Sequence, residues 1–166
     1  MFHFSHRLVT PADSGLIRRF AVLAAFPPSE PAPAWDAGHP RVELWSAGWG
    51  RDGDIGVLLV DDAGDPAGLG WARVHDEPLL HDPASGAPLA ELAIAVSADR
   101  RGSGLGSQLL EALCDAAAAA GHPALSLYAE PPRVAWYERS GFARVTPRDS
   151  GWIMSRSLTE ASPGGS

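Results

Sequence analysis

The feature that most constrains the fold is a three-part segment in the middle of the chain. An apolar run at 89–96 leads into the glycine-rich turn RGSGLG at 101–106, and apolar residues then recur at helical spacing. This pattern predicts a strand, a tight turn and a helix over 104–119. Another strand is expected at 124–129, so the unit is typical of a crossover between two parallel strands.

The same segment predicts a binding site for an anion. The first amide groups of a helix lack partners within the helix, and the helix dipole makes that end partly positive. Gly102, Gly104 and Gly106 allow the backbone to approach a ligand closely. Arg100 and Arg101 add positive charge at the rim. A phosphate group is therefore the expected ligand.

The other elements are predicted from the spacing of apolar residues, which is every three to four positions in a helix and every second position in a strand, and from clusters of Gly and Pro in loops. Further strands are expected at 2–9, 55–60, 66–74, 142–145 and 152–158, further helices at 11–25 and 133–140, loops at 27–41 and 75–88, a short helix or extended segment at 42–49, and a disordered tail at 159–166. The expected fold is a single α/β domain over 1–158, in which helices pack against a mixed, mostly antiparallel sheet.

Composition excludes several classes of function. All 13 basic residues are Arg, so a Walker-type phosphate loop, which needs Lys, is excluded. The formal charge of −7 argues against nucleic-acid binding and mildly favours a cationic partner. Cys114 is the one cysteine, which excludes an internal disulfide and a cysteine-based zinc cluster. No membrane span or export signal is evident, so a cytoplasmic location is expected.

Two ligand classes carry phosphates that suit such a turn. A dinucleotide fingerprint needs G-x-G-x-x-G, whereas this chain has G-x-G-x-G. Glu130 does end the next strand, as an acid should in a dinucleotide site, but the unit lies in mid-chain without the repeated βα units of a doubly wound sheet. The alternative is the pyrophosphate of coenzyme A.

The residues around the turn resemble a known family. VSADRRGSGLGSQLL at 96–110 is similar to the acyl-CoA-binding motif of the GNAT N-acetyltransferase superfamily, whose (Arg or Gln)-x-x-Gly-x-(Gly or Ala) core is met by Arg101, Gly104 and Gly106. AWYERSGF at 135–142 is similar to the recurrent Tyr-Glu-x-x-Gly-Phe of these enzymes. The resemblance implies a GNAT-like fold and direct transfer of an acetyl group from acetyl-CoA to a primary amine, without a metal.

The resemblance also implies which residues hold the donor. The backbone of the strand before the turn would contact the pantetheine arm and polarise the thioester carbonyl at Ile94, Ala95 and Val96. The pyrophosphate would lie on the amides of the turn, which are Arg101, Gly102, Ser103, Gly104, Leu105, Gly106 and Ser107. Many members carry an Asn before the Tyr helix. This chain has EPPR at 130–133 instead.

Two residues are expected to carry the catalysis. Tyr137 would protonate the departing CoA thiolate by resemblance, although an aromatic at this spacing also suits helix packing. Strand alternation places Glu91 on the face opposite Leu92, and desolvation of an acid in so apolar a strand would raise its pKa toward that of a general base. The alternative is a carboxylate at the strand end that faces solvent.

His75 and His81 are alternative bases, though loop histidines are more often merely solvated. The acidic residues near these histidines indicate no metal site.

The acceptor is less determined. Trp35, Trp45 and Trp49, with Glu30, Asp36 and Glu43 among them, would form an aromatic, acidic mouth for a cationic amine, or would simply pack the first helix. Polyamines, aminoglycosides, amino acids and protein N-termini all stay open as acceptors, and homodimers are common in the family. The alternative functions are a non-catalytic CoA-binding module and, more remotely, a nucleotide-binding protein.

Overall fold

The structure is a computed structural model, and it describes residues 3–25, 39–102 and 104–159. Its strands are β1 (Phe4–Leu8), β2 (Ile55–Asp61), β3 (Pro66–Arg73), β4 (Ala90–Val96), β5 (Ala124–Ala129), β6 (Ala143–Arg148) and β7 (Gly151–Ser157). Its helices are α1 (Ser14–Ala25), α2 (Pro40–Ser46), α3 (Leu105–Ala119) and α4 (Pro131–Arg139). None of the helices in these ranges is long and apolar enough to cross a membrane.

The strands form one seven-stranded sheet in the order β1-β2-β3-β4-β5-β7-β6. Only β4 and β5 are parallel, while the other neighbours are antiparallel, as the sequence predicts. The parallel pair holds register at just two positions, Ala90 with Leu125 and Glu91 with Ser126. Beyond Glu91 the two strands separate, so the sheet is split near its middle.

The two faces of the sheet carry different helices. α3 lies on one face, where its predicted apolar stripe from Leu105 to Ala117 is buried against alternate residues of the central strands. α1 and α2 lie on the other face, over Leu58, Trp71 and Ala95. Each central strand therefore divides its side chains between two cores, which is the period of two expected for a strand.

Several boundaries differ from the predictions for local reasons. The loop expected at 27–41 is helical at its end, because Pro40 begins α2 at the first helical position, where proline needs no amide partner. The same effect starts α4 at Pro131, two residues before the predicted start. β6 continues through Pro147 to Arg148, which is possible because β6 is an edge strand.

Candidate active site

A cavity of about 700 Å³ lies where β4 and β5 separate. Its walls come from both faces of the sheet: α1 and α2 on one side, and the glycine turn, α3 and α4 on the other. All residues of β4 from Glu91 to Val96 line it. One cavity can therefore receive two ligands from opposite faces, which meet at the split.

The glycine turn forms the wall on the α3 side. Gly102 and Gly104 have φ values of 82° and 78°, in the left-handed region that favours glycine. Gly104 is the residue that caps α3, and it brings no side chain to cover the first amides of that helix. The Arg101 Nε donates to the Val96 carbonyl at 3.2 Å, which ties the turn to the end of β4. Ser103, also predicted to bind the donor, lies outside the described residues.

α4 packs against this turn. The Trp136 indole donates to the Ser107 Oγ at 3.2 Å, and Trp136 contacts Tyr137 edge to face at 4.7 Å. The Tyr137 side chain lines the cavity but is only 5% exposed. Burial raises the pKa of Tyr137, while Arg133, through its charge and a hydrogen bond, lowers it less. The phenol is therefore protonated at neutral pH and can act as a proton donor.

Glu91 is at the last position where β4 pairs with β5. Its side chain is half-buried in the cavity, on the face opposite Leu92, in the alternation that the sequence predicts. Burial raises the pKa of Glu91 to about 7, against a smaller lowering by the positive charge of Arg148. A carboxyl group with such a pKa can accept a proton near neutral pH.

A buried ion pair that was not predicted from the sequence lies beside Glu91. Arg73 lies directly across from Glu91 in the register of β3 and β4, so both side chains start on the same face. Arg73 is fully buried, and its Nε and Nη2 donate to the two carboxylate oxygens of Asp54 at 3.1 and 2.8 Å. Its Nη1 donates to the Leu44 and Ala47 carbonyls at 3.2 and 2.9 Å. A charged residue at the end of an otherwise apolar strand was the available signal.

The two loop histidines behave differently from each other. His81 is exposed, as expected for a solvated loop residue. His75 is not solvated: it is buried, and its ring packs edge to face on Trp45 at 4.7 Å. Burial, with the charges of Arg73 and Arg51, lowers the pKa of His75, and its buried Nε2 has no hydrogen-bond partner. Neither histidine is among the residues that line the cavity.

Only part of the predicted acidic, aromatic entrance to the acceptor site is found at the cavity. Glu43 pairs with Arg18 at 2.8 Å, and Trp49 packs in the α1 core over the Arg73 guanidinium. Trp45 does line the cavity. The other residues of this prediction, Trp35, Glu30 and Asp36, lie outside the described residues. Cys114 is buried in the α3 core. Within the ranges that the structure describes, no group of three His, Cys, Asp or Glu residues could hold a metal ion.

Comparison with known proteins identifies the family and the fold. The model of the acetyltransferase (GNAT) family matches residues 20–142. A GNAT superfamily phosphinothricin acetyltransferase from Sinorhizobium meliloti, solved in complex with AcCoA, superposes with a TM-score of 0.65 at 21% identity, over 96% of this chain and 90% of that one. A GNAT-family acetyltransferase from Streptococcus pneumoniae gives 0.63 at 17% identity, over 93% and 99%.

A spermidine N-acetyltransferase chimera from Vibrio cholerae and hSSAT gives a TM-score of 0.61 at 15% identity, over 93% of this chain and 95% of that one. At such identities the solved structures establish the fold alone. No curated protein sequence matches this chain.

Proposed function

Because this chain belongs to the acetyltransferase (GNAT) family, we propose that it transfers an acetyl group from acetyl-CoA directly to a primary amine, with both substrates bound together. The observation that carries the proposal is the split between β4 and β5 beside an open, glycine-rich helix N-terminus. The donor enters from the α3 side and the acceptor from the α1 and α2 side. Holding the two reactants in line supplies much of the rate enhancement of such a reaction.

The donor is held by backbone groups. The free amides at the start of α3, from Leu105 to Ser107, bind the pyrophosphate with those of the glycine turn. Where the strands separate, the backbone groups of β4 that would otherwise pair with β5 are available to the pantetheine arm. Those at Ile94 and Val96 bind that arm and stabilise the negative charge that develops on the thioester carbonyl oxygen, whereas the backbone of Ala95 faces β3, as that of Ser97 does in its bond to the Ala67 carbonyl.

Two side chains move the protons. A free alkylamine has a pKa of about 10, so it must lose a proton before it can attack. Glu91, whose pKa is about 7, takes that proton through a water molecule. As the new C–N bond forms and the C–S bond breaks, the Tyr137 hydroxyl gives its proton to the departing thiolate. The nitrogen then releases its second proton to water, and the Tyr137 phenolate takes a proton back from water. The products are the amide and free CoA.

The first test is binding, measured as a thermal shift with acetyl-CoA, CoA and NAD in parallel. A ligand that binds only the folded protein raises its apparent stability by mass action. We expect a shift with acetyl-CoA and CoA and none with NAD. A larger shift with NAD would favour a nucleotide-binding protein instead.

The second test is turnover, measured as thiol release over a panel of amines. Release of CoA that depends on an amine, with the acetylated amine found by mass spectrometry, would support the transferase. CoA binding without acetylation of any amine would favour the non-catalytic CoA-binding module. Glu77→Gln is the matched control for Glu91→Gln, because Glu77 is an exposed acid outside the cavity. This control should leave turnover unchanged.

A further inference from the structure

The acceptor side of the cavity has a wall formed by α2. Arg41, Leu44 and Trp45 line the cavity, and their i, i+3 and i+4 spacing places them on one face of that helix. Arg41 and Leu44 are exposed there, while Trp45 is partly covered. This wall therefore presents one cation and an apolar, aromatic surface to the incoming acceptor.

The charge that the α2 wall presents to the cavity is positive. Arg41 makes no ion pair with any carboxylate in the described part of the chain, and its neighbour Glu43 is engaged by Arg18 at 2.8 Å. Glu91 is the only acidic side chain among the cavity-lining residues that the structure describes, and its raised pKa leaves it partly neutral near pH 7. The other cavity-lining arginines, Arg100, Arg101 and Arg133, belong to the glycine turn and α4 on the donor side.

The α2 wall is held in place by side chains from β3. Arg73 donates to the Leu44 and Ala47 carbonyls, and the Trp71 indole donates to the Trp45 carbonyl at 3.1 Å. Both of these anchors are completely buried. Arg41 therefore projects from a helix with a defined position, so its guanidinium costs less to order on binding than it would on a free loop.

We propose that Arg41 determines acceptor specificity by binding a carboxylate, and that the acceptor is therefore an amine that also carries a carboxylate, as an amino acid does. This inference rests on the proposed transfer reaction. The planar guanidinium matches a carboxylate through two parallel hydrogen bonds. The amine of the acceptor lies toward Glu91, and its side chain lies against Leu44 and Trp45.

Other acceptor classes fit this wall less well. A polyamine has no anion for Arg41 and would bring two or more positive charges beside it. A phosphorylated amine would bring up to two negative charges to a wall with one arginine. The carboxylate balances the charge of Arg41 and leaves the amine free to react.

The test uses matched acceptors that differ only in the anion. Each L-amino acid is compared with its carboxamide and with its decarboxylated amine, and kcat/KM is measured by thiol release. We expect wild type to prefer the carboxylate form by about 10- to 100-fold, the range for a charge-assisted hydrogen bond. Arg41→Gln should abolish that preference through KM for the acceptor, with KM for acetyl-CoA unchanged, and Arg41→Lys should keep part of it. Arg139→Gln, an exposed arginine outside the cavity, is the matched control.

A binding measurement separates this inference from the reaction on which it rests. In CoA-saturated protein, the carboxylate acceptors should raise the melting temperature of wild type and of Arg139→Gln, but not that of Arg41→Gln. If this pattern appears without any acetylation, the transfer reaction is wrong and the anion site stands. Equal or better turnover of the carboxamides or of polyamines, or an unchanged preference in Arg41→Gln, would overturn the role of Arg41.

Discussion

Removal of the Arg73 guanidinium should destabilise the protein strongly. Arg73→Met keeps most of the side-chain volume. In the described part of the chain it leaves the Asp54 carboxylate, whose side chain is 4% exposed, with two donors, the amides of Gly50 and Arg51 at 3.0 Å. Removing one partner of a buried ion pair costs about 3–5 kcal/mol, because the other charge stays buried without compensation. That is a large part of the 5–15 kcal/mol by which a domain is ordinarily stable.

The assay is urea unfolding followed by tryptophan fluorescence, with Trp45, Trp49 and Trp71 close to the site of the change. The matched control is Arg144→Met, which breaks an ion pair with Glu138 whose side chains are 45% and 42% exposed. An exposed pair of this kind contributes about 0–1 kcal/mol. The Arg73 variant should therefore lose several times more stability than the control.

Two further variants test whether the unpaired charge of Asp54 causes the loss of stability. The double change Arg73→Met with Asp54→Leu should recover part of the loss, because no buried charge is left without a partner. Arg73→Lys keeps the charge but loses the two-pronged contact, so its stability should lie between wild type and Arg73→Met. A loss for Arg73→Met no larger than that of Arg144→Met, or fully additive losses in the double variant, would refute the argument.

Variants of three residues in the site test its other features. Glu91→Gln should lower kcat by about 10²-fold, and in wild type kcat/KM should rise with pH through about 7, as the base loses its proton. The pKa of Glu91 rises from its ordinary value of 4.5 to about 7 on folding, so the folded state is favoured at pH values below 4.5. This contribution to stability is lost as pH rises through about 7. Glu91→Gln should therefore gain stability relative to wild type between pH 5 and 8. Tyr137→Phe should lower turnover while acetyl-CoA binding, measured by calorimetry, changes little. Gly104→Ala should cost about 1 kcal/mol of stability and weaken acetyl-CoA binding, because φ at this position is 78°.

Each of these predictions can fail on its own. A flat pH profile with full activity in Glu91→Gln would exclude Glu91 as the base. Unchanged turnover in Tyr137→Phe would exclude Tyr137 as the acid. If Gly104→Ala binds acetyl-CoA as tightly as wild type does, close backbone approach at this position is not required for the donor.

Much of the fold follows from local patterns in the sequence. The strand at β4, the glycine turn and the apolar stripe of α3 are adjacent in the chain, and their periodicity and glycines report their own conformations. Boundaries near proline were less predictable. Pro40 and Pro131 each begin a helix, whereas Pro147 lies within an edge strand, and only the surroundings decide which of these roles a proline takes.

The sequence did not predict which side chains contact each other in the folded protein. His75 was expected to be solvated, yet it is buried because α2 places Trp45 against it, thirty residues earlier in the chain. Arg73 and Asp54 were not singled out, because nothing in their immediate neighbours shows that β2 and β3 bring them together.

The class of the fold and the glycine turn of the candidate donor site follow from local sequence patterns. Glu91 stands out as an acid in an apolar strand, and Tyr137 is indicated by the family resemblance. Three features became evident only from the packing of distant segments: β4 and β5 separate after Glu91, a cavity opens there, and burial raises the pKa of this carboxyl to about 7. The reason is physical: conformational preference is a property of neighbouring residues, whereas desolvation and charge pairing depend on residues that meet only when distant segments pack together.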